Sequence, residues 1–390
     1  MESKRKIVLV TSRFPFPMVG GFEIKNYHLI RELSKDYEVS AHFIQRRRPC
    51  ESDIKALENY CSVQVHKPSM LGIFVRMVIN IFAGKPLQNA LYSSGKAKSA
   101  IERDLISADA AVCSVIRTCD YIESYDRPKF YDLADSLWQL YKNNFPISKG
   151  WRRFAFRIEA SRLQRKELQL VRDSNGVLFF NQREAEFYKG ARNVHVVPHG
   201  VSEGVFECVD LNPQYADGLS FIGKLNVAHN VDMVLWFSKY VLPLLPNHVR
   251  LYLIGSSPSS KLQALANSDS RIVIVGFLDD PYPVIRSSIA SICPLQTGGG
   301  IQNKIIESLA CGAITIASRK AMAPFDHPED SGILVCDTPE EWVRTINELL
   351  GKPQRHQFRR EIGRSYAMAR YSWKVYGDIV RRLIRDAIHH

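Results

Sequence analysis

Short apolar runs alternate with amphipathic segments along most of the chain. The run at 7–11, IVLVT, is continuous and β-branched, as in a strand buried within a parallel sheet. A turn-rich loop follows, and residues 22–34 then show the apolar spacing of a helix before a second apolar run at 39–44. This strand–helix–strand order predicts a βαβ unit.

The predicted helix at 22–34 has two different faces. Its apolar face carries Tyr27, Leu29, Ile30 and Leu33. Its opposite, polar face carries Lys25, His28, Arg31 and Glu32.

The strand–helix alternation stops in the loop-like stretch 207–218 and then restarts. Before that stretch, further strands are predicted at 110–115, 129–134, 176–180 and 194–198. After it, strands are predicted at 219–223, 249–255, 271–277, 289–295 and 313–318, with helices between them. Neither series contains hairpin signals, so each predicts a doubly wound parallel sheet.

We therefore predict an α/β fold with two Rossmann-like domains facing each other across a cleft. A chain of 390 residues is long enough for two ordinary domains. The first domain is predicted at 1–205 and the second at 206–370. The basic amphipathic helix within 371–390 is expected to pack back on the first domain.

Charge is distributed unevenly between the two halves. The formal net charge is +12, of which residues 1–200 carry +11 and residues 201–390 carry +1. A positive field confined to one half indicates an anionic partner such as a membrane face, although a merely basic domain is the alternative. The basic residues form no recognisable nucleic-acid module, so no nucleic-acid partner is expected.

Cysteine usage and the N-terminus both favour a cytoplasmic protein. The eight cysteines form no C-x-x-C pair, and several, including Cys113 and Cys293, lie in apolar surroundings typical of a reduced core. The first apolar run has only about five residues, too few for a signal peptide. We expect a cytoplasmic protein, with peripheral attachment to the inner face of the plasma membrane as an extension.

Two stretches bear on that attachment. Residues 70–83 are apolar except for Arg76 and are too short to span a bilayer. A buried helix is the preferred interpretation, and an interfacial patch is the alternative. Residues 151–166 mix arginine with Trp and Phe, as interfacial helices do.

The segment 294–318 carries the most specific chemistry. A predicted strand ends there, Gly298, Gly299 and Gly300 follow, and a helix begins. Glycine backbone and a helix N-terminus together suit an anion. Lys304 and Glu307 are three residues apart and share a helix face, so one can meet a diphosphate and the other a ribose. The alternative is an ordinary turn with a surface Lys–Glu pair.

This segment resembles the donor loop of glycosyltransferase family four, the retaining GT-B enzymes, and its polysaccharide-biosynthesis members in particular. The matching residues, GIQNKIIESLACG at 300–312, include Ile301 and Gln302. Similar family elements occur at 196–201, 221–237, 274–280 and 370–373. The resemblance implies retaining transfer of a sugar from a nucleotide diphosphate sugar to a hydroxyl of a saccharide acceptor, lipid-linked in our interpretation. It implies no metal and no further cofactor.

The resemblance also assigns donor-site roles outside the glycine loop. Gly20 and Gly21 match the loop that packs under the donor phosphates. Lys224 matches the first of two phosphate cations, while Asn230 stands in the place of the second. Gly276 and Phe277 belong to the loop that contacts the base.

The remaining implied roles concern the donor sugar. Position 299 is glycine where the family often has glutamate, which leaves the identity of the sugar open. Asp132 and Asp135 end a predicted strand, where the family places a polar residue near the anomeric carbon. Asp135 has the alternative role of capping the next helix.

Two alternatives share this architecture. One is a nucleotide-sugar epimerase, which would leave the basic half unexplained. The other is an inactive nucleotide-sugar-binding partner, suggested by Gly299 and Asn230. The dinucleotide fingerprint G-x-G-x-x-G is absent, which argues against a dehydrogenase.

Overall fold

The structure is a computed structural model that describes residues 4–18, 20–144, 150–297, 301–325 and 327–389. The chain forms two compact units. The first contains Met1–His199 and Lys374–His390, and the second contains Gly200–Trp373. Each unit is built around its own parallel sheet with helices, which confirms the two doubly wound sheets predicted from the sequence.

The first unit has a seven-stranded parallel sheet in the order β3-β2-β1-β4-β5-β6-β7. Its strands are β1 Lys6–Thr11, β2 Glu38–Ile44, β3 Ser62–His66, β4 Ala110–Ser114, β5 Lys129–Ala134, β6 Gly176–Phe179 and β7 Val194–Val196. Its helices are α1 Gly21–Asp36, α2 Glu51–Glu58, α3 Met70–Phe82, α4 Leu87–Ala90, α5 Gly95–Ile106, α6 Leu137–Asn144, α7 Trp151–Asp173 and α8 Gln182–Ala185. The described part of this unit also contains 3-10 turns at Ile116–Tyr121 and Glu186–Tyr188.

The second unit has a six-stranded parallel sheet in the order β10-β9-β8-β11-β12-β13. Its helices are α9 Glu203–Phe206, α10 Ala228–Tyr240, α11 Ser260–Ser268, α12 Tyr282–Ser287, α13 Asn303–Ala310, α14 Arg319–Met322, α15 Pro339–Gly351 and α16 Phe358–Tyr371. Its strands are β8 Gly218–Ile222, β9 Arg250–Ile254, β10 Ile272–Gly276, β11 Ala290–Cys293, β12 Thr315–Ala317 and β13 Leu334–Val335. Four 3-10 turns lie at Pro213–Tyr215, Leu242–Leu244, Pro328–Ser331 and Pro353–His356.

The last helix, α17 (Trp373–His389), belongs to the first unit from Lys374 onward. Tyr376, Val380 and Ile384 are its buried side chains on one face, at helical spacing. Tyr376 donates a hydrogen bond to Asp132 of β5, and Arg381 pairs with Glu32 of α1. These contacts tie the end of the chain to its beginning.

The polar face predicted for α1 is wrong for three of its four residues. Lys25, His28 and Glu32 are all buried. Burial is tolerated for the two ionic residues because Lys25 Nζ lies 2.8 Å from Asp132 Oδ1 and Glu32 pairs with Arg381. For His28, burial is the main cause that lowers its pKa to about 3, so the imidazole is neutral. Helix α1 is therefore covered on both faces.

The buried-helix interpretation of residues 70–83 is also wrong. Only Ile73 and Asn80 of α3 are buried, and most of its large apolar side chains are exposed, with Leu71 74% and Phe82 87% accessible. By contrast, Cys113 and Cys293 are core residues as predicted. No helix in the described ranges combines the length and apolarity needed to cross a bilayer.

Candidate functional site

The second sheet has a switch point between β8 and β11. Strands β8 and β11 are parallel neighbours. The strand that follows β8 in the chain, β9, lies on one side of this pair, and the strand that follows β11, β12, lies on the other. Helix α10 follows β8, and helix α13 is the first helix after β11. Ligands of doubly wound sheets bind outside the carboxyl ends of the strands at such a point.

Lys304 of α13 and Asn230 of α10 meet at this switch point. Lys304 Nζ donates to Asn230 Oδ1 at 2.6 Å, and Asn230 Nδ2 donates to the Lys224 carbonyl oxygen at 2.9 Å. The Lys304 ammonium also lies 4.0 Å from the centre of the Phe221 ring. Asn230, which replaces a cation in the family pattern, therefore positions the ammonium of Lys304.

Two glycines allow the loops after β8 and β9 to approach each other. Gly223 has φ +153° and Gly255 has φ +148°. A Cβ atom on Gly255 would lie 1.9 Å from the Gly223 carbonyl oxygen, and one on Gly223 would lie 2.9 Å from Asn230 Nδ2. Larger residues would displace the loop that carries Lys224 and the amide that holds Lys304.

Glu307 lies one helical turn after Lys304 and has no hydrogen-bond partner for its carboxylate among the described residues. Burial raises the pKa of Glu307 to about 7, while the charge of Lys304 acts in the opposite direction. Burial likewise lowers the pKa of Lys304 to about 8. Two half-buried groups with opposite shifts, both titrating near neutral pH, are typical of a ligand site.

The other predicted donor residues surround this pair. Gly276 ends β10 with φ +87°, and its carbonyl oxygen accepts from Gly255 N at 2.8 Å. The next residue, Phe277, exposes its ring. Ile301 packs partly against the core of the unit, and the buried Gln302 is the N-cap residue of α13. Gly298, Gly299 and Gly300 lie outside the described residues.

In the first unit, Asp132 is an interior residue. Its Oδ1 pairs with Lys25 Nζ, its Oδ2 accepts from Tyr376, and its carbonyl oxygen also accepts from Lys25 Nζ at 3.0 Å. The role near the anomeric carbon that the resemblance implies for Asp132 does not fit this position, because both carboxylate oxygens are bound inside the unit. Asp132 instead ties α1 and α17 to β5.

Asp135 differs from Asp132 because its side chain is exposed. The backbone before it is irregular: the β5–β6 register shifts between Asp132 and Ala134, and Ala134 has φ +63°. Val115, after the neighbouring strand β4, has φ +76° and donates its N–H to the Asp132 carbonyl oxygen. Strained non-glycine backbone at two adjacent strand ends is a feature of functional sites.

The chain around Asp135 also perturbs its titration. Desolvation by the surrounding chain raises the pKa of Asp135, Lys25 lowers it, and Asp132 raises it. The alternative that Asp135 caps the next helix finds no support in the hydrogen bonds, because Glu184 Oε2 accepts from Ser136 N at 2.9 Å and Glu167 accepts from Leu137 N.

Gly20 and Gly21 begin α1. Gly20 is the N-cap residue, and a Cβ atom there would lie 2.4 Å from the Glu23 carboxylate. Gly21 is the first helical residue and has open space where a side chain would project. The pair forms the turn expected after β1, and its predicted role under donor phosphates stays a prediction.

Sequence reasoning missed several residues of the Lys304 site. Phe221, Gly223 and Gly255 shape the surroundings of Lys304. Burial lowers the pKa of His229, and the charge of Lys304 lowers it further. The signal was present, because each glycine is the last residue of a predicted strand, where a backbone with positive φ is common.

Within the described ranges, one group of side chains is close enough to share a metal ion. It consists of His327, Glu329 and Asp330, all exposed. Surface carboxylates are well solvated without an ion, so this group supports no metal centre. The metal-independence predicted from the sequence stays a prediction.

Part of the chain matches a known protein family. Residues 216–352 match the family described as Glycosyl transferases group 1. This range contains the whole Lys304 site, from Phe221 to Glu307. No curated protein sequence matches the chain.

Solved structures resemble nearly the whole chain. HepE of Anabaena, solved in complex with UDP, has 12% identity and a TM-score of 0.66, covering 98% of this chain and 100% of HepE. Sucrose-phosphate synthase of Thermosynechococcus elongatus has 13% identity and a TM-score of 0.64, covering 98% and 99%. The lipopolysaccharide outer core galactosyltransferase WaaB has 15% identity and a TM-score of 0.62, also covering 98% and 99%. Likeness at these identities shows the fold alone, and it confirms the GT-B class.

Proposed function

We propose a specific glycosyl transfer for this chain, whose residues 216–352 match the family described as Glycosyl transferases group 1. The protein transfers a sugar from a nucleoside diphosphate sugar to a hydroxyl of a lipid-linked saccharide and retains the anomeric configuration. This reaction serves the synthesis of a polysaccharide or another glycan. The observation that carries the donor part is the placement of Lys304, Asn230 and Glu307 at the switch point of the second sheet.

Each group of this site has a distinct part in the proposed reaction. Lys304 and Lys224 neutralise the diphosphate as it leaves, with the N-terminus of α13 contributing its positive dipole end. The Glu307 carboxylate accepts hydrogen bonds from the ribose hydroxyls. Asp135 of the first unit orients substrate hydroxyls near the reacting carbon. UDP is the first nucleotide to test, because HepE has been solved with UDP and with UDP-glucose.

The test is a screen of nucleotide sugars for thermal stabilisation and transfer. A ligand at 100 times its dissociation constant stabilises the protein by roughly 2.7 kcal/mol. We expect stabilisation by one nucleotide sugar and transfer of its sugar to a lipid-linked saccharide. Binding without transfer to any acceptor would instead identify an inactive binding partner, and an altered free nucleotide sugar would identify an epimerase.

Retention and metal-independence are tested on the same reaction. The cationic side chains around the diphosphate do the work that a metal ion does in other sites, so transfer should persist in EDTA. NMR of the product should show the anomeric configuration of the donor. An inverted linkage, or activity abolished by chelation and restored by a divalent cation, would contradict this part of the proposal.

We also propose that the first unit lies on an anionic membrane surface. The exposed apolar side chains of α3, which include Leu71, Phe74 and Phe82, leave an almost uncharged helix facing solvent. Exposed apolar patches of this kind mark interaction sites. Helix α3 has no acidic residue, and residues 1–200 carry a net charge of +11. An anionic bilayer suits both the exposed apolar side chains and this positive charge.

Helix α7 extends this surface with basic and aromatic side chains. Arg162 of α7 donates to the Ile81 carbonyl oxygen at 3.0 Å, and Arg165 donates to that of Gly84 at 3.4 Å, so α7 binds the end of α3. Phe154 and Arg157 of α7 are exposed. Apolar insertion contributes about 1.5–3 kcal/mol for each side chain fully removed from water, and each nearby Lys or Arg adds about 1 kcal/mol.

Co-sedimentation with vesicles tests this surface. The protein should bind phosphatidylcholine–phosphatidylglycerol vesicles at low salt and pure phosphatidylcholine vesicles much less. Leu71→Ser, Phe74→Ser and Phe82→Ser together should release it without changing nucleotide-sugar affinity. Val209→Ser with Leu211→Ser, which alters exposed apolar residues of the second unit, is the matched control. Equal binding by both variants would refute the role of α3.

A further inference from the structure

A cavity of about 860 Å³ opens at the carboxyl edge of the first sheet. The segments that follow β1 and β2, residues 12–17 and 45–50, supply most of its lining, and Pro68 after β3 adds to it. The cavity is lined by the first unit alone. Its position at the ends of parallel strands and its volume are both typical of a small-molecule site.

Four arginines and two carboxylates line this cavity. Arg13 pairs with Glu23 at 2.9 Å, and Arg48 pairs with Glu51 outside the lining at 3.2 Å. Arg46 and Arg47 are exposed and have no acidic partner among the described side chains. Asp53 is the second acid of the lining. A guanidinium is always charged, so the cavity holds positive charge that the protein itself does not neutralise.

One glutamine fixes the two arginine-bearing loops relative to each other. Gln45 Oε1 accepts from Phe14 N at 3.0 Å, and Gln45 Nε2 donates to the Arg47 carbonyl oxygen at 2.7 Å. Phe14 is held in turn by an edge contact with Phe43, with ring centres 4.8 Å apart. The loop that carries Arg46 and Arg47 is thus anchored at its base to the loop after β1.

Aromatic side chains form other parts of the wall. Phe16 stacks edge-on against Tyr27 of α1, and Tyr92 contributes from the segment before α5. Apolar and aromatic walls with a few convergent charged groups are what a small polar ligand with a defined orientation requires. A simple inorganic anion would leave most of this volume and all of these walls unused.

We propose that this cavity binds a phosphate-bearing saccharide and that the acceptor of the reaction is therefore anionic. The inference rests on the proposed glycosyl transfer and names the acceptor class. Paired guanidinium groups match phosphate oxygens in two-point hydrogen bonds, and the remaining volume admits the sugar. A lipid-linked sugar diphosphate and a free sugar phosphate present this same chemistry.

The test uses calorimetry on the full chain, with and without saturating UDP to occupy the donor site. Glucose 1-phosphate should bind, and methyl glucoside, which lacks the phosphate, should bind much more weakly. Replacing Arg46→Gln and Arg47→Gln together should weaken glucose 1-phosphate binding by about tenfold for each charged hydrogen bond lost. Arg192→Gln, an exposed arginine of the same unit away from the cavity, is the matched control.

The outcomes separate this proposal from the donor site. If the double variant keeps wild-type affinity for glucose 1-phosphate, or if methyl glucoside binds equally well, the cavity does not recognise phosphate. If the double variant loses UDP affinity to the same extent, the arginines belong to the donor site and the proposal is overturned. Phosphate-dependent binding that needs Arg46 and Arg47 in a protein that transfers no sugar would support the cavity and refute the proposed reaction.

A direct comparison of two ligands distinguishes a lipid-linked sugar diphosphate from a free sugar phosphate. A glucose linked to a short polyisoprenyl diphosphate, presented in detergent, is titrated beside glucose 1-phosphate. Tighter binding of the lipid-linked probe, weakened by the same double variant, assigns the cavity to a lipid-linked acceptor. Equal or weaker binding assigns it to a free sugar phosphate, which supports the cavity but contradicts the lipid-linked acceptor.

Discussion

The two units share one architecture but differ in where they place charge. Among the described residues of the first unit, six Asp, Glu, Lys or Arg side chains are buried: Lys25, Glu32, Asp132, Glu159, Lys166 and Glu167. Among the described residues of the second unit, no acidic or basic side chain is buried to that degree. The second unit keeps Lys304 and Glu307 half-buried at the switch point instead.

This difference shows that the same fold can use ionic groups for two purposes. In the first unit they connect elements that are distant in sequence, as Lys25 with Asp132 and Glu32 with Arg381 do. In the second unit the core is apolar, and the half-buried Lys304 and Glu307 lie near the strand ends, where a ligand can compensate their desolvation.

Asp132→Ala should have the largest effect, on the stability of the first unit. It leaves the Lys25 ammonium buried without a counter-ion, which costs about 3–5 kcal/mol. Denaturant unfolding monitored by a probe in each unit should show the loss in the first unit. Asp232→Ala, on the exposed side of α10, is the matched control and should change stability by at most about 0.5 kcal/mol.

Replacing both Lys25 and Asp132 tests whether the unpaired charge causes the loss of stability. In Lys25→Met with Asp132→Leu, no charge remains unpaired, so most of the lost stability should return. A double variant as unstable as Asp132→Ala would show that the unpaired Lys25 ammonium is not the cause of the loss. The buried Tyr376 hydroxyl, which loses its acceptor in both variants, would then account for it.

Glu307→Ala should not lower stability but should weaken UDP binding by about 1.5–3 kcal/mol, the range for hydrogen bonds to a charged group. Calorimetric titration of the full chain measures it. Glu348→Ala, an exposed acid of α15, should bind UDP like the wild type. Undiminished affinity in Glu307→Ala would remove Glu307 from the donor site.

The pH dependence of UDP binding should have two limbs. As pH falls through about 7, Glu307 becomes protonated and loses acceptor capacity, and as pH rises through about 8, Lys304 loses its charge. Affinity should therefore peak between these values and fall by at most about tenfold per pH unit on each side. Glu307→Gln should abolish the acid limb only. A single-limbed profile in the wild type would contradict the assignment of the pair.

The stability of the unliganded second unit should depend on pH in the opposite way to UDP binding. The raised pKa of Glu307 means that its contribution to stability is complete below its ordinary value of 4.5 and is lost as pH rises through about 7. The lowered pKa of Lys304 means that its contribution is complete above 10.5 and is lost as pH falls through about 8. The pair therefore stabilises the unit least in the range where it binds UDP best, and pH-dependent unfolding measures this.

Asn230→Ala should have the smallest effect, a loss of about 0.5–1.5 kcal/mol in UDP affinity. The Lys304 ammonium keeps its charge but loses the amide that positions it. The pH profile should keep both limbs. A loss as large as that in Glu307→Ala would mean that Asn230 contacts the nucleotide itself.

The sequence predicted most of the sheet elements because buried parallel strands are continuous apolar runs. Strand β5 was predicted at its observed bounds, and β1, β2 and β4 to within one residue. Strand β3 was missed because its five residues, SVQVH, alternate and only half-bury their side chains at the sheet edge. Helix α15 was missed although its capping box, Thr338 with Glu341, is visible in the sequence.

The candidate site was predictable only where a residue acts through its own type and spacing. Lys304 and Glu307 were found because residues three apart share a helix face. The buried partner of Lys25 could not be found, because Asp132 is 107 positions away in the chain. Tyr376, which donates to Asp132, is a further 244 positions along the chain. Helix periodicity distinguishes apolar from polar positions, but it does not reveal that a polar face is covered by a distant helix.

Helix α17 belongs to the first unit but follows the second unit in the chain. This sets the order in which the two units can be completed during synthesis. Synthesis up to Trp373 supplies every residue of the second unit, which can then fold as a whole. The first unit, although its strands emerge earlier, still lacks Tyr376 and Arg381, the partners of Asp132 and Glu32. The unit that is made first is therefore the unit that is finished last, because Asp132 and Glu32 acquire these partners only after α17 has been made.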